Sequence, residues 1–369
     1  MTETEKRVPD LRFKGFIEDW EQRKLGELAS FSKGAGYTKG DLKATGKPII
    51  LYGRLYTKYE TVIENVDTFV DEKEKSVISA GNEIIVPASG ETSEDISRAS
   101  VVAKPGIILG GDLNIVKPNT EIDPSFLALT ISNGRQQKEL SKKAQGKSVV
   151  HLHNSDLKEV TLVYPKKEEQ TRIGNFFKNL DNTIALHQRK LTLLEQLKQS
   201  YLQLMCPQNK GNIPALRFAG FSEPWEQRKI RELFTVTRGQ VLAATKTKDK
   251  ETNNFIYPVY SSQTKNNGLM GFYDQYLFEN AITWTTDGAN AGTVNFRKGK
   301  FYSTNVNGVL LSDKGFANKA ISEIINKIAW KHVSKVGNPK LMNNVMSEIT
   351  VTIPFVEEQN KLSLLFEQL

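Results

Sequence analysis

The sequence predicts an α+β protein: two duplicated mixed α/β domains joined by long coiled-coil helices, with the second helix truncated. Three observations carry this. The run LRFKGFIEDWEQRKLGEL (Leu11–Leu28) recurs 205 residues later as LRFAGFSEPWEQRKIREL (Leu216–Leu233), with thirteen of eighteen positions identical. A second pair of segments closes each copy, with Leu152, Asn154, Pro165, Glu168, Glu169 and Gln170 matching Leu341, Asn343, Pro354, Glu357, Glu358 and Gln359. After the first closing segment the apolar spacing switches to a heptad. A period this long means duplicated domains rather than solenoid repeats.

Composition bounds the rest. A chain of 369 residues accommodates two or three domains, each with its own core. Mean hydropathy is −0.42, and no run approaches the roughly 18 apolar residues of a membrane span. The start, MTETEKRVPD, lacks the apolar stretch of a secretory signal. A single cysteine, Cys206, excludes an intramolecular disulfide and a Cys-rich zinc site. These features lead us to expect a cytoplasmic protein. Lys and Arg number 50 against 42 Asp and Glu, for a net charge of +8 and a pI near 9.2. That balance suits a polyanion ligand, although a merely basic protein carries it too.

The elements follow in order. The first body, 29–147, holds β-branched runs (PIILY, VISAGNEIIVPASG, VVAKPGIILGGDLNIV), then a helix expected over Pro124–Lys143. Glu159–Tyr164 reads as a strand stopped by Pro165. From Glu168 to Met205 a helix of about 37 residues is expected, roughly 55 Å at 1.5 Å per residue. Its seam is Ile173, Phe177, Leu180, Ile184, His187, Leu191 and Leu194, spaced 4,3,4,3,4,3. So narrow an apolar stripe calls for a partner helix alongside. The second body, 234–336, holds FIYPVYSS, AITWTTDG, TVNFR and NGVLL, with a helix expected over Phe316–Lys335 and a strand at Glu348–Ile353. The helix begun at Glu357 stops at Leu369, the counterpart of Leu180, about 25 residues short of its twin. The expected divisions are 1–165, 166–206, 207–354 and 355–369.

Polar and basic loops supply candidate contacts to a duplex. In the first body these are Arg54, Tyr56, Lys58 and Tyr59 of GRLYTKY, Ser89, Glu91 and Thr92 of SGETSED, and Lys142, Lys143 and Lys147 of the loop SKKAQGKS. In the second they are Arg238, Lys246, Ser262, Gln263, Lys265, Asn266, Asn267, Asp287, Asn290 and Lys340. Lysine and arginine bind phosphates and set register, while Asn, Gln and Arg pair with base edges. Taken singly, each loop is also ordinary solvated surface. Catalytic motifs are thin. Gly146-Lys147-Ser148 lacks the upstream glycine of a phosphate loop, Ser141 standing there. His151 and His153 fall on one face of an expected strand without a carboxylate cluster to complete a metal site. His187 lies on the seam, where packing is the simpler role. Trp20 and Trp225 read as pins fixing each domain start to its core, or as partner contacts.

Two divergent bodies, each opened by RFxGFxxxWEQRKxxEL and closed by strand–Pro-x-x-EEQ–helix, resemble the DNA-specificity subunit of type I restriction–modification enzymes. The resemblance spans Val8–Leu369. It implies two target recognition domains, each reading one half of a bipartite, asymmetric site in double-stranded DNA. It also implies helices that pack antiparallel and dock two methyltransferase subunits, with restriction–translocase subunits in the full complex. Catalysis would then lie outside this chain: it would bind no cofactor, and S-adenosylmethionine, ATP and Mg²⁺ would belong to the partners. A non-catalytic coiled-coil scaffold, or a half-subunit that pairs to form the reader, are the alternatives. The short second helix departs from the family and leaves the half-site spacing open.

Overall fold

The repeated run Glu-Gln-Arg-Lys alternates along a strand, and both copies use it the same way. Glu21–Lys24 pairs antiparallel with Thr161–Tyr164, and Glu226–Lys229 with Thr350–Ile353. Each two-stranded ribbon joins the opening motif to the closing motif of its own copy. The computed structural model describes residues 9–93, 95–144, 149–208, 211–262 and 265–369. The chain divides into two units, Met1–His187 and Gln188–Leu369, with the boundary inside one helix.

In the first unit, a five-stranded sheet runs in the order 29–33, 113–118, 83–87, 100–102, 62–63. Its central strand Glu83–Pro87 is buried along its whole length, as its unbroken apolar run requires. One face packs Ile84, Val86, Val101 and Val116 against Phe126, Leu127 and Ile131 of the helix Pro124–Ser132. The other buries Ile85, Val102, Leu113 and Ile115 against Ile50 and Leu55. The second unit has a six-stranded sheet in the order 235–238, 307–311, 278–285, 294–303, 257–260, 269–273. Ile282, Trp284, Val294 and Leu310 pack on Ile321, Ile324 and Ile325 of the helix Lys319–Ala329.

The long helix spans Lys167–Leu204, 38 residues, within a residue of its expected limits. The distal helix spans Val356–Gln368. Several expectations need correction. The single helix read over Pro124–Lys143 is two, Pro124–Ser132 and Gly134–Lys143. Asn133 between them is extended and Gly134 takes φ +69°, a left-handed turn that favours glycine. Lys142 and Lys143 therefore end a helix rather than sit in a loop, where their charge meets the carbonyl end of the helix dipole. Arg54–Thr57 is a helical turn, not a loop. The strands read from Glu159 and Glu348 begin at Thr161 and Thr350 instead, because short helices Asn154–Lys158 and Asn343–Glu348 precede them. Those helices start at the two matched asparagines. The second-body helix contracts to Lys319–Ala329, followed by one 3-10 turn. His151 ends a two-residue strand, whereas His153 precedes the helix, and their rings stack 6.5 Å apart.

Candidate nucleic-acid interface

The shared frame holds both interfaces in the same manner. Arg12 forks onto Glu169 (2.9 and 2.6 Å), and Arg217 onto Glu358 (2.9 and 2.7 Å). The third guanidinium nitrogen of each, Nη1, donates to a backbone oxygen six residues on, that of Glu18 or Glu223. Planar, two-pronged contact is what arginine supplies and lysine does not. The next residue of the closing motif also acts twice. Gln170 donates to the Pro165 carbonyl (2.8 Å) and accepts from the backbone of Asp123 (2.9 Å). Gln359 donates to the Pro354 carbonyl (2.7 Å) and accepts from Asn318 (3.0 Å). Asp123 and Asn318 are in turn the N-caps of the helices under each sheet. The EEQ triplet therefore ties strand end, sheet-covering helix and opening motif together in each copy.

A second shared device was not read from the sequence. Gly34 and Gly239 follow the first strand of each large sheet, again 205 residues apart. A Cβ on Gly34 would stand 1.9 Å from the Gly110 carbonyl oxygen, and one on Gly239 would stand 2.2 Å from those of Ser303 and Thr304. Backbone runs against backbone at both places, so no side chain fits. Lys33 and Arg238, the residues before them, are exposed counterparts. Lys-Gly and Arg-Gly after a strand of alternating residues were the available signal.

On this frame the second unit gathers a polar rim. Backbone bonds join Gly239 to Asn307, Gln240 to Ser303, Thr304 to Tyr260, Thr286 to Val306, Leu341 to Thr286, and Gly288 to Pro339. Arg238, Asp287 and Lys340 therefore come together, and Ser262 follows two residues after Tyr260. Lys340 and Asp287 face each other at 4.0 Å. The Asn290 carbonyl takes the Thr293 amide in the turn closing this strand pair. Asn266 and Asn267 are exposed and left-handed, with φ of 51° and 52°. Lys265 opens that same short turn, and Gln263 lies outside the described residues. Lys246 is exposed in a separate turn, Ala244–Lys246.

Behind the rim stands Arg297, which the sequence reading passed over. The residue is 7% exposed, and its guanidinium lies 3.8 Å from the centre of the Tyr260 ring and donates to Thr283 (3.1 Å). Burial pulls its pKa down to about 10, with Tyr260 acting in the opposite direction. Among the described residues no carboxylate pairs with it, so it leaves positive charge beside the rim.

In the first unit Tyr56 donates to the Ser89 carbonyl (2.9 Å), and burial pushes its phenol pKa up. Thr92 donates to Asp95, which also takes Arg98. Ser97 meets Ser141 at 3.3 Å, which brings the helix carrying Lys142 and Lys143 to the same place. Ser89 sits opposite His151 in a short strand pair, and Glu91 is exposed next to it. Lys147 lies outside the described residues. The structure gives three expected contacts other partners. Arg54 is held by Asp67 and Glu60 (both 2.7 Å) and is 8% exposed in its side chain. Lys58 pairs with Asp67 at 2.9 Å, and first Lys58, then Arg54, draw that carboxyl down to about 2. Tyr59 turns back onto Ala99 and Ser132. Arg54 is thereby withdrawn from solvent, whereas the Lys58 side chain stays 55% exposed and Tyr59 39% exposed.

Comparison with known proteins bears on this arrangement. Residues 17–196 and 222–369 match the family profile described as the type I restriction modification DNA specificity domain. A Mycoplasma pneumoniae protein assigned as a type I specificity subunit is 30% identical over 218 residues, covering 58% of this chain and 77% of its own. The specificity subunit of the type I restriction enzyme MpnII, from the same organism, is 33% identical over 158 residues, covering 42% of this chain and 46% of its own. Among solved structures, the S subunit of a type I restriction–modification system from M. genitalium superposes with a TM-score of 0.70 at 16% identity, covering 98% of this chain and 92% of that one. At that identity the superposition speaks for the fold. Among the described residues no helix is long and apolar enough to cross a membrane.

Proposed function

Because this chain belongs to the type I restriction–modification DNA-specificity family, we propose that its two units each read one half of a bipartite, asymmetric site in double-stranded DNA. The long helix acts as the ruler between them and as the dock for two methyltransferase subunits. The chain makes or breaks no bond itself. Adenine methylation with S-adenosylmethionine, and ATP- and Mg²⁺-dependent translocation and cleavage, fall to the partner subunits. The observation that carries this reading is the contrast between frame and rim. The Arg–Glu forks, the bridging glutamines and the paired glycines repeat residue for residue, while the loops mounted on them have diverged.

Roles follow from chemistry. Exposed lysines and arginines, Arg238 and its counterpart Lys33 first, contact phosphates and set register. Ser262, Asn266, Asn267, Asp287 and Asn290 in one unit, and Ser89, Glu91 and Thr92 in the other, face base edges. Each well-formed two-pronged base contact discriminates by about 1–3 kcal/mol. Two experiments separate these roles. Arg238→Ala, assayed with the methyltransferase subunits bound, should weaken binding to every sequence and flatten the log–log salt slope by about one unit. An unchanged slope removes Arg238 from the phosphate contacts. Replacing residues 222–353 with the matching segment of a relative should change one half of the methylated site and leave the other. A change in both halves contradicts independent readers.

The exposed seam favours a second reading of how the reader is completed. Phe177, Leu180, Ile184 and Leu191 are 41–59% exposed, an apolar stripe that asks for a helix from elsewhere. A half-reader that pairs with a second copy fits this, and the mass of the chain in solution decides it.

A further inference from the structure

The run EIIVPASGET (Glu83–Thr92) is the counterpart of AITWTTDGAN (Ala281–Asn290), and His151-Leu152 is the counterpart of Lys340-Leu341. Ser89 and His151 thereby correspond to Asp287 and Lys340. Both sets build the same short antiparallel ladder. In the first unit His151 stands opposite Ser89 and Val150 opposite Gly90, with the Leu152 amide on the Ala88 carbonyl (3.0 Å). In the second Lys340 stands opposite Asp287, with the Leu341 amide on the Thr286 carbonyl (2.8 Å) and the Gly288 amide on that of Pro339 (3.0 Å). Leu152 and Leu341 are fully buried. Successive side chains in extended backbone point to opposite faces, so the residue before each leucine is turned outward. His151 and Lys340 are both exposed.

The backbone of this ladder is kept, while the side chains on it have been exchanged as a pair. Ser89 Oγ meets His151 Nδ1 at 3.3 Å, a hydroxyl against an imidazole. Asp287 and Lys340 face each other at 4.0 Å, a carboxylate against an ammonium. Lys33 and Arg238 behave differently, being exposed cations at matching places in both copies. A phosphate is alike at every step of a duplex, so a phosphate contact can keep one charge in both copies. A base contact has to differ wherever the half-sites differ. The cross-strand pair follows the second pattern.

We propose that Ser89–His151 and Asp287–Lys340 are one equivalent base-reading position in the two units, which makes His151 a specificity-determining residue of the first. The inference rests on the reading of both units as recognisers of duplex DNA. The chemistry of each pair sets what it accepts in the major groove. A carboxylate accepts from the cytosine N4 amino group, and an ammonium donates to guanine O6 and N7, so Asp287–Lys340 selects a G·C pair. A hydroxyl both donates and accepts, and an imidazole engaged at Nδ1 offers its other nitrogen to the duplex. Ser89–His151 therefore reads its base pair without that demand for G·C.

The test uses the full chain with its methyltransferase subunits, bound to its specific duplex and competed by duplexes altered at one base pair at a time. His151→Ala should lower discrimination about tenfold at a single base pair of one half-site and leave the other half-site as it was. Lys340→Ala should do the same in the other half. Ser89→Asp combined with His151→Lys should impose G·C at the base pair that His151→Ala relaxes. The half-site read by the untouched unit controls for folding, and the exposure of both side chains lets the variants fold. Discrimination unchanged by His151→Ala, a uniform loss on every duplex, a loss in both halves, or a double variant that gains no preference for G·C overturns the proposal. A wild-type complex that shows no two-part site sinks the underlying reading as well, so the two failures are told apart.

Discussion

At the scale of single residues, the account turns on groups that cannot be exchanged. Glu358 is 1% exposed and takes both prongs of Arg217 and the Trp225 indole. Removing one member of such a pair strands the other charge out of water. Glu358→Ala should therefore cost about 3–5 kcal/mol in chemical denaturation; a loss below about 1 kcal/mol would mean that water replaces the carboxylate freely. Gly239→Ala should destabilise the second unit, since its Cβ would meet two backbone oxygens at 2.2 Å, while Gly53→Ala, where a Cβ meets open space and φ is −59°, should cost far less. The Arg54 clasp has a pH signature. Asp67 titrates near 2 in the fold, below the ordinary value of about 3.9. The clasp's stabilising effect is thus complete above the ordinary aspartate range and fades as pH falls toward 2. An NMR titration should place the Asp67 midpoint near 2; a midpoint near the ordinary value would show that the clasp is not formed.

At the scale of elements, the long helix and the closing motifs were legible because their signals are periodic or duplicated. The heptad from Ile173 to Leu194 marks the helix, and the closing motif at Glu168 with the stop at Pro207 places its ends to within a residue. What the sequence hid lies in contacts between distant segments. The break in Pro124–Lys143 falls on Asn133-Gly134, a turn-forming pair whose signal is outweighed by the helix-forming residues on either side. Arg54, Lys58 and Tyr59 read as plain surface groups because the partners of their side chains stand six to seventy-three residues away. Arg297 looked like one more strand residue until Tyr260 and Thr283 were brought to it. The helix as ruler yields its own prediction. Seven residues inserted after His187 keep the seam in phase and lengthen the helix by about 10 Å. The two half-sequences should be retained and the gap between them changed, as read from methylated sites; an unaltered gap would dismiss the ruler.

At the scale of the whole molecule, duplication followed by divergence accounts for the two matching runs Leu11–Leu28 and Leu216–Leu233. The opening and closing motifs persist because each copy needs the same Arg–Glu–Gln frame to seat its sheet and its helix. The loops diverge because nothing in that frame depends on them. On the proposed reading, a net charge of +8 would give both rims a background attraction for a duplex, and the polar side chains would then select among sequences. The most direct measurement is single-molecule sequencing of methylated adenines in cells that carry this chain with its methyltransferase partners and no other specificity subunit. The account predicts a single methylated site made of two unlike half-sequences separated by a fixed gap of unread bases. A continuous site without a gap, or methylation unchanged when the chain is deleted, would contradict it.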